Sequence, residues 1–172
     1  EFRPDIVFSP RIWDYHPDHR ACGQVVMDAL YMCTVPNVVS NVPHLRRMPV
    51  AMLFQDHFQS PYPSRPDVVV DITPVWEQKL DGLHEHTSQM YEWLPYNREG
   101  LHEVPEGDAA RRAWLHNWYD ARIGRLVDLY KPQIIAKYGA ERAATIKAVE
   151  TFEVSEYGSP LTPELCDKFF PF

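Results

Sequence analysis

The stretch Asp5-Ile6-Val7-Phe8-Ser9, closed by Pro10 and carried through Trp13-Asp14-Tyr15-His16 into Pro17-Asp18-His19-Arg20-Ala21, decides the fold. Its first five residues form a short β-branched and aromatic run between Pro4 and Pro10, the pattern of a buried strand. From Pro17 the residues Ala21, Val25, Val26, Ala29, Leu30 and Cys33 recur at three- and four-residue steps. Proline suits a first helical position and Asp18 a first turn, so a helix begins there. Strand, loop and helix in succession are half of a βαβ unit.

Working outward, Val50-Ala51-Met52-Leu53-Phe54 and Asp67-Val68-Val69-Val70-Asp71-Ile72 read as two further apolar strands. Continuous apolar runs of this kind are the mark of a parallel sheet covered on both faces. Thr73 is a candidate N-cap with Pro74 at the first helical position, opening a helix over 74–91 with Val75, Trp76, Leu80, Leu83 and Met90 on one stripe. Residues 94–106 break twice at proline, 108–131 carry the longest helical pattern, and Pro132 kinks or restarts it. Residues 148–156 alternate as a half-exposed strand stopped at Gly158, and 161–170 suit one short helix. The expected architecture is α/β: a Rossmann-like, mostly parallel sheet flanked by helices. Parallel pairing needs a crossover at each connection, so a sheet whose first visible strand begins at residue 5 reads as the carboxy-terminal portion of such a domain. With no repeat, low-complexity tract or shift of composition, 1–172 is expected to belong to one domain.

The composition narrows the partners. A net charge of -7 on 172 residues lacks the surplus of Lys and Arg that phosphate binding needs, so no nucleic acid is expected and a small molecule or a protein is. No segment reaches the roughly 18 apolar residues of a membrane span. Cys22, Cys33 and Cys166 form no C-x-x-C pair and cannot all be disulfide-bonded, which favours a reducing, cytoplasmic setting. With 16 prolines against 7 glycines, the loops are expected to be long and stiff.

Reactive side chains are densest in Asp14-Tyr15-His16-Pro17-Asp18-His19-Arg20, where the first strand feeds the first helix. Open α/β sheets bind ligands there, outside the carboxyl ends of their strands. His16 and His19 are three apart and share a side if the turn is helical. A metal-bound histidine needs an acceptor for its other ring nitrogen, and Asp14 and Asp18 are both near enough to serve. Two histidines are too few for catalytic zinc, which takes three protein ligands and a water. The spacing alone equally suits two histidines flanking a surface helix. Asp56-His57 past the second strand and Asp71 at the end of the third lie at the same sheet edge, their roles open between ligand contact and loop support. His84 and His86 read as helix-surface groups, and Trp114, Trp118, Tyr119 and Tyr130 as core. Neither a phosphate-binding glycine loop nor a G-x-S-x-G nucleophile elbow is present.

Tyr15-His16-Pro17-Asp18-His19-Arg20-Ala21-Cys22-Gly23 resembles the second motif of the PIG-L/LmbE-like zinc-dependent N-deacetylases, which act on N-acetylglucosamine-type amides. Pro66 through Thr73 leading to Lys79, then His86-Thr87-Ser88-Gln89, Glu150 through Gly158, and Phe169-Phe170-Pro171 resemble the family's carboxy-terminal half in the same order. Residues 92–148 look like a variable helical insertion. The resemblance implies Zn2+ as cofactor, His19 as a zinc ligand, His16 as the catalytic histidine acting on the scissile carbonyl, and Asp18 as the residue that orients it. It also implies Tyr15, Arg20 and His86 as substrate-binding residues, an N-acetylated small molecule as substrate, and a homo-oligomeric assembly. The family's first motif, Ala-His-Pro-Asp-Asp, which supplies the other ligands and the general base, does not occur in the chain. Two expectations follow: a deacetylase whose amino-terminal half comes from upstream or from another chain, or a non-catalytic α/β binding or assembly module derived from the same fold.

Overall fold

A computed structural model describes residues 2–172, which divide into two compact units: residues 2–70 with 150–172, and residues 71–149. The four-stranded sheet consists of β1 (Ile6–Ser9), β2 (Val50–Phe54), β3 (Val68–Asp71) and β4 (Val149–Ser155) in the order β1-β2-β4-β3. β1 and β2 pair in parallel from Ile6 opposite Val50 to Ser9 opposite Leu53. The expectation of a mostly parallel sheet is corrected at β4, which runs antiparallel to β2 from Ala51 opposite Ser155 to Phe54 opposite Phe152, and separates β2 from β3. Its half-exposed reading is corrected too. Five of its seven residues are buried, because an interior strand is covered on both faces whatever its alternation suggests.

Helix α1 (Pro17–Met32) crosses from β1 to β2, burying Met27 and Leu30 against Ala51 and Leu53, with Ile12 and Val26 alongside. Gly23 sets how closely it lies on the preceding loop. A Cβ there would sit 2.8 Å from the carbonyl oxygen of Pro10, so a small residue is required for the start of α1 to press against the β1–α1 loop. A short helix near the carboxy terminus (Pro163–Phe169) is capped by Thr162, whose Oγ1 accepts from the Leu165 amide at 3.3 Å.

In that second unit a 3₁₀ turn (Thr73–Val75) leads to α2 (Trp76–His84), a π-helical turn (Gln89–Trp93), α3 (Leu94–Asn97), another 3₁₀ turn (Leu101–Glu103), α4 (Asp108–Leu129) and α5 (Lys131–Ala143). The single helix expected over 74–91 therefore stops at His84. Thr73 is not its cap: the Thr73 hydroxyl accepts from the amides of Lys147 and Ala148 at 3.0 and 3.3 Å, and the 3₁₀ turn starts without a side-chain cap. Pro132 restarts the chain as α5, which bends at Gly139, where φ is 78°. That angle is freely open only to glycine.

Candidate active site

Loop 10–16 leaves the carboxyl end of β1 and delivers its last residue as the N-cap of α1. His16 adopts extended backbone angles, and its Nδ1 accepts from the Asp18 amide at 3.2 Å, the bond a Ser or Asp side chain usually makes at this position. An accepting Nδ1 carries no proton, so the proton of neutral His16 resides on Nε2, at the outer edge of the ring. Asp14 imposes the opposite arrangement on His19. Its Oδ1 lies 2.9 Å from His19 Nδ1 and also accepts from the His16 amide at 2.9 Å. A carboxylate only accepts, so Nδ1 of His19 holds the proton and Nε2 keeps a free lone pair.

The two rings stand 5.0 Å apart and tilted by 39°, one presenting an N–H donor and the other a nitrogen able to bind a metal. Tyr15, exposed, sets its ring edge-on 5.9 Å from His16 and 5.3 Å from His19. The carboxylate of Asp18 stays outside this arrangement, 3.9 Å from His16 Nδ1 and almost fully exposed; its contribution to His16 comes from its backbone amide. The guanidinium of Arg20 turns back on the loop, donating to the carbonyl oxygens of Asp14 and Tyr15 at 2.8 and 3.0 Å. It thereby fixes the two carbonyls that precede His16.

Below this loop lies a charge cluster that sequence reasoning missed. Arg11 is fully buried, 2.9 Å from Asp56 Oδ1 and 3.5 Å from Glu153 Oε2, and donates to the carbonyl oxygen of Tyr62 at 2.8 Å with its guanidinium against the Tyr62 ring. Asp56 also accepts the Phe58 amide at 2.8 Å, and Arg65 approaches Glu153 Oε1 at 3.5 Å. Ser9, Leu53 and Glu153 stand in one row across the sheet, so the cluster closes the sheet edge from which the histidine loop departs. One signal was available in the sequence: a carboxylate mid-strand between Phe152 and Val154 demands a buried cation. His57 is exposed in the same loop.

His86 lies in the second unit, exposed in the turn after α2, where its carbonyl accepts from Met90 at 2.8 Å. Asp71 serves its own unit: Oδ1 accepts from the Thr73 amide at 2.9 Å, Oδ2 pairs with Arg142 at 3.3 Å, and its amide donates to the Tyr138 hydroxyl at 2.9 Å. Burial holds the Tyr138 phenol above its ordinary value. His84 shares a hydrogen bond of 2.6 Å with Tyr91, whose phenol is likewise pushed up by burial.

His19, with Nδ1 held by a carboxylate and Nε2 free, has the form of a zinc-binding histidine. Among the described residues, however, no group of three or more His, Cys, Asp or Glu side chains could hold a metal ion. The chain offers one fitting ligand and not a complete site. Nor, among these residues, is any helix long and apolar enough to cross a membrane.

Comparison with known proteins places the fold first. Over 90% of the chain the structure matches a solved N,N'-diacetylchitobiose deacetylase of Pyrococcus horikoshii, with a TM-score of 0.55, 19% identity and coverage of 46% of that protein. A solved 4-carboxy-2-hydroxymuconate hydratase, GalB of Pseudomonas putida KT2440, matches over 88% with a TM-score of 0.53, 19% identity and coverage of 52%. At that identity these likenesses establish a mixed α/β fold common to a deacetylase and a hydratase. The chain is also similar in sequence to the diacetylchitobiose deacetylase of Thermococcus kodakarensis, 34% identical over 107 residues, covering 56% of this chain and 38% of that relative. It thus spans well under half the length of the relative it matches. No family model matches the chain.

Proposed function

We propose that the chain carries the histidine side of an amide-hydrolysing site that removes an acetyl group from an N-acetylglucosamine-type substrate. The observation that carries this reading is the pair of hydrogen bonds that set opposed tautomers: His16 Nδ1 accepts from the Asp18 amide, leaving its proton on Nε2, and His19 Nδ1 meets Asp14, leaving its Nε2 unprotonated. The likeness to a deacetylase supports the choice of reaction. His19 Nε2 is the position for one zinc ligand, and zinc, held there with ligands from outside this chain, supplies Lewis acidity toward a carbonyl and acidifies its bound water.

The chain's own residues account for the rest of what is proposed. His16 donates its Nε2–H to the amide carbonyl oxygen and strengthens that bond as negative charge develops on the oxygen. Asp14 keeps the proton of His19 on Nδ1, so Nε2 retains its lone pair. Arg20 holds the carbonyls of Asp14 and Tyr15 and so steadies the loop that delivers His16. Tyr15 lines the approach as an exposed, amphipathic wall. Water adds across the amide, the C–N bond breaks, and the products are acetate and the free amine.

Acetate release from N,N'-diacetylchitobiose by the complete gene product, with its metal content measured in parallel, tests the reading. His19→Ala should lose bound metal and turnover together. His16→Ala should keep the metal and lose turnover by about 10²–10³-fold, the effect of removing one oxyanion donor. Wild-type levels of metal and activity in both variants, or hydration of an unsaturated carboxylic acid in place of acetate release, would overturn it. The second outcome would favour the chemistry of the hydratase that shares the fold.

A further inference from the structure

We infer that the cavity walled by loop 10–16, the segment 55–67 and β4 binds one neutral sugar ring, the unit next to the N-acetylated ring that reacts at the histidines. That the ring is linked to a reacting one rests on the deacetylase reading; the cavity and the polarity it demands of its occupant do not. The cavity has a volume of about 280 Å³ and lies wholly within the first unit. Trp13 comes to it from the histidine loop, and Tyr62 and Arg65 from the helix-free connection between β2 and β3. Glu153, Ser155 and Tyr157 come from β4 and the turn after it. Its polar groups are under-used. The indole N–H of Trp13 is buried and meets no acceptor among the described residues. Glu153, with a side chain 2% exposed, is approached by Arg11 Nε at 3.5 Å and by the amide and guanidinium of Arg65 at 3.4 and 3.5 Å, longer than a carboxylate's hydrogen bonds to cations. The Ser155 hydroxyl meets only a thioether, Met27 Sδ at 3.4 Å, as its acceptor.

The same groups select the occupant. An anion is repelled by the Glu153 carboxylate, and a cation by the guanidinium of Arg65 with that of Arg11 close by. An apolar molecule pairs with neither the indole N–H nor the carboxylate, and leaving buried polar groups unpaired is costly. A neutral ring bearing hydroxyls satisfies both kinds, because each hydroxyl donates and accepts: one takes the Trp13 N–H, another donates to Glu153. Aromatic walls for its C–H faces come from Trp13 and Tyr62, whose rings meet edge-on at 6.1 Å, and from Tyr157, which is 57% exposed. The volume lies at the small end of ligand cavities and takes one ring. Its place ties it to the candidate site. Trp13 adjoins Asp14, which holds His19, and precedes His16 by three residues, so the Cα atoms of Trp13 and His16 lie within about 11 Å. A ring seated at Trp13 is the neighbour of one whose amide meets His16.

Two measurements on the complete gene product test the inference: acetate-release kinetics with N-acetylglucosamine and with N,N'-diacetylchitobiose, and calorimetric titration of the disaccharide into the His16→Ala protein. Trp13→Phe keeps a ring in place and removes the N–H; Tyr157→Ala removes a wall far from the buried charges. Each should raise KM for the disaccharide about 3–10-fold more than KM for the monosaccharide, the loss of one hydrogen bond or contact that binds ground state and transition state alike. Each should weaken the calorimetric affinity by a similar factor. Equal shifts in the two KM values, or affinity for the disaccharide that neither variant changes, would overturn the inference and leave the cavity to water. Disaccharide binding weakened by Trp13→Phe, without acetate release by the wild type, would remove the deacetylase reading and keep the ring site. Acetate release with an unaltered ratio of KM values would do the reverse, and absence of both binding and release would remove both.

Discussion

Each unit of the molecule pairs one arginine with two carboxylates, and the two clusters do different work. In the first, Arg11 is wholly buried between Asp56 and Glu153, on side chains exposed by 7% and 2%. In the second, Arg112 of α4 reaches Glu77 and Asp81 of α2 at 2.9 and 2.8 Å, on side chains exposed by 66% and 70%. His116 adds contacts to Glu77 and Asp120, each at 3.1 Å. The motif is the same, yet burial alters its energetics. A buried set is close to neutral as a whole and costly when one member is removed, while an exposed set is weak in every member. The first cluster therefore fixes a loop in one position; the second fastens two helices that apolar packing already brings together.

The largest test of this contrast is Arg11→Met. It leaves Asp56 and Glu153 buried without a cation and should cost about 3–5 kcal/mol in urea unfolding. Adding Glu153→Leu should return part of that loss, because an uncompensated charge goes with it. If Arg11→Met costs no more than an exposed pair does, the two clusters are equivalent and the contrast is wrong.

Glycines give a second comparison, with opposite signs expected in the two units. A Cβ on Gly158 would stand 2.5 Å from the Ala51 nitrogen and 2.7 Å from the Pro49 carbonyl oxygen, both backbone atoms that cannot yield cheaply. Gly158→Ala should cost about 1–3 kcal/mol, read as a lower midpoint of unfolding. Gly124, inside α4, has nothing within 4 Å of its ideal Cβ. Gly124→Ala should stabilise by about 0.5–1 kcal/mol through helix propensity.

The same division explains what the amino-acid sequence reveals. β1, β2, β3 and the start of α1 are legible because each is a local pattern: an apolar run between prolines, or a three-four spacing opened by Pro17. The histidine cluster is legible because six reactive residues stand together in 14–20, interrupted only by Pro17. The insertion of β4 between β2 and β3 is not, since strand order is a contact across some hundred positions and leaves no local trace. Arg11 in Pro10-Arg11-Ile12-Trp13 reads as an ordinary loop cation, because its partners lie 45 and more positions away. Thr73 fails as the expected cap of the 74–91 helix for a related reason: its hydroxyl is taken by the amides of residues 147 and 148, which no local reading can foresee.

The exposed cluster permits the finest test, in its dependence on pH. The hydrogen bond from Arg112 is the main cause that holds the Glu77 carboxyl below the ordinary carboxylate value, with His116 adding to it. A carboxyl whose pKa is lower folded than unfolded binds fewer protons when folded. Its contribution to stability is therefore present above the unfolded value and lost as the pH falls through the lowered one. Urea midpoints followed from neutral pH down into the carboxylate range should fall in the wild type. Glu77→Gln should be slightly less stable at neutral pH and fall less steeply, the two curves converging once Glu77 is protonated. Arg112→Ala should remove about 1 kcal/mol or less at neutral pH and flatten the same limb, since it deletes the group that depresses the carboxyl. Curves for wild type and Glu77→Gln that stay parallel across the whole range would show that the pair does not couple to folding, and that α2 and α4 are held by their apolar faces alone.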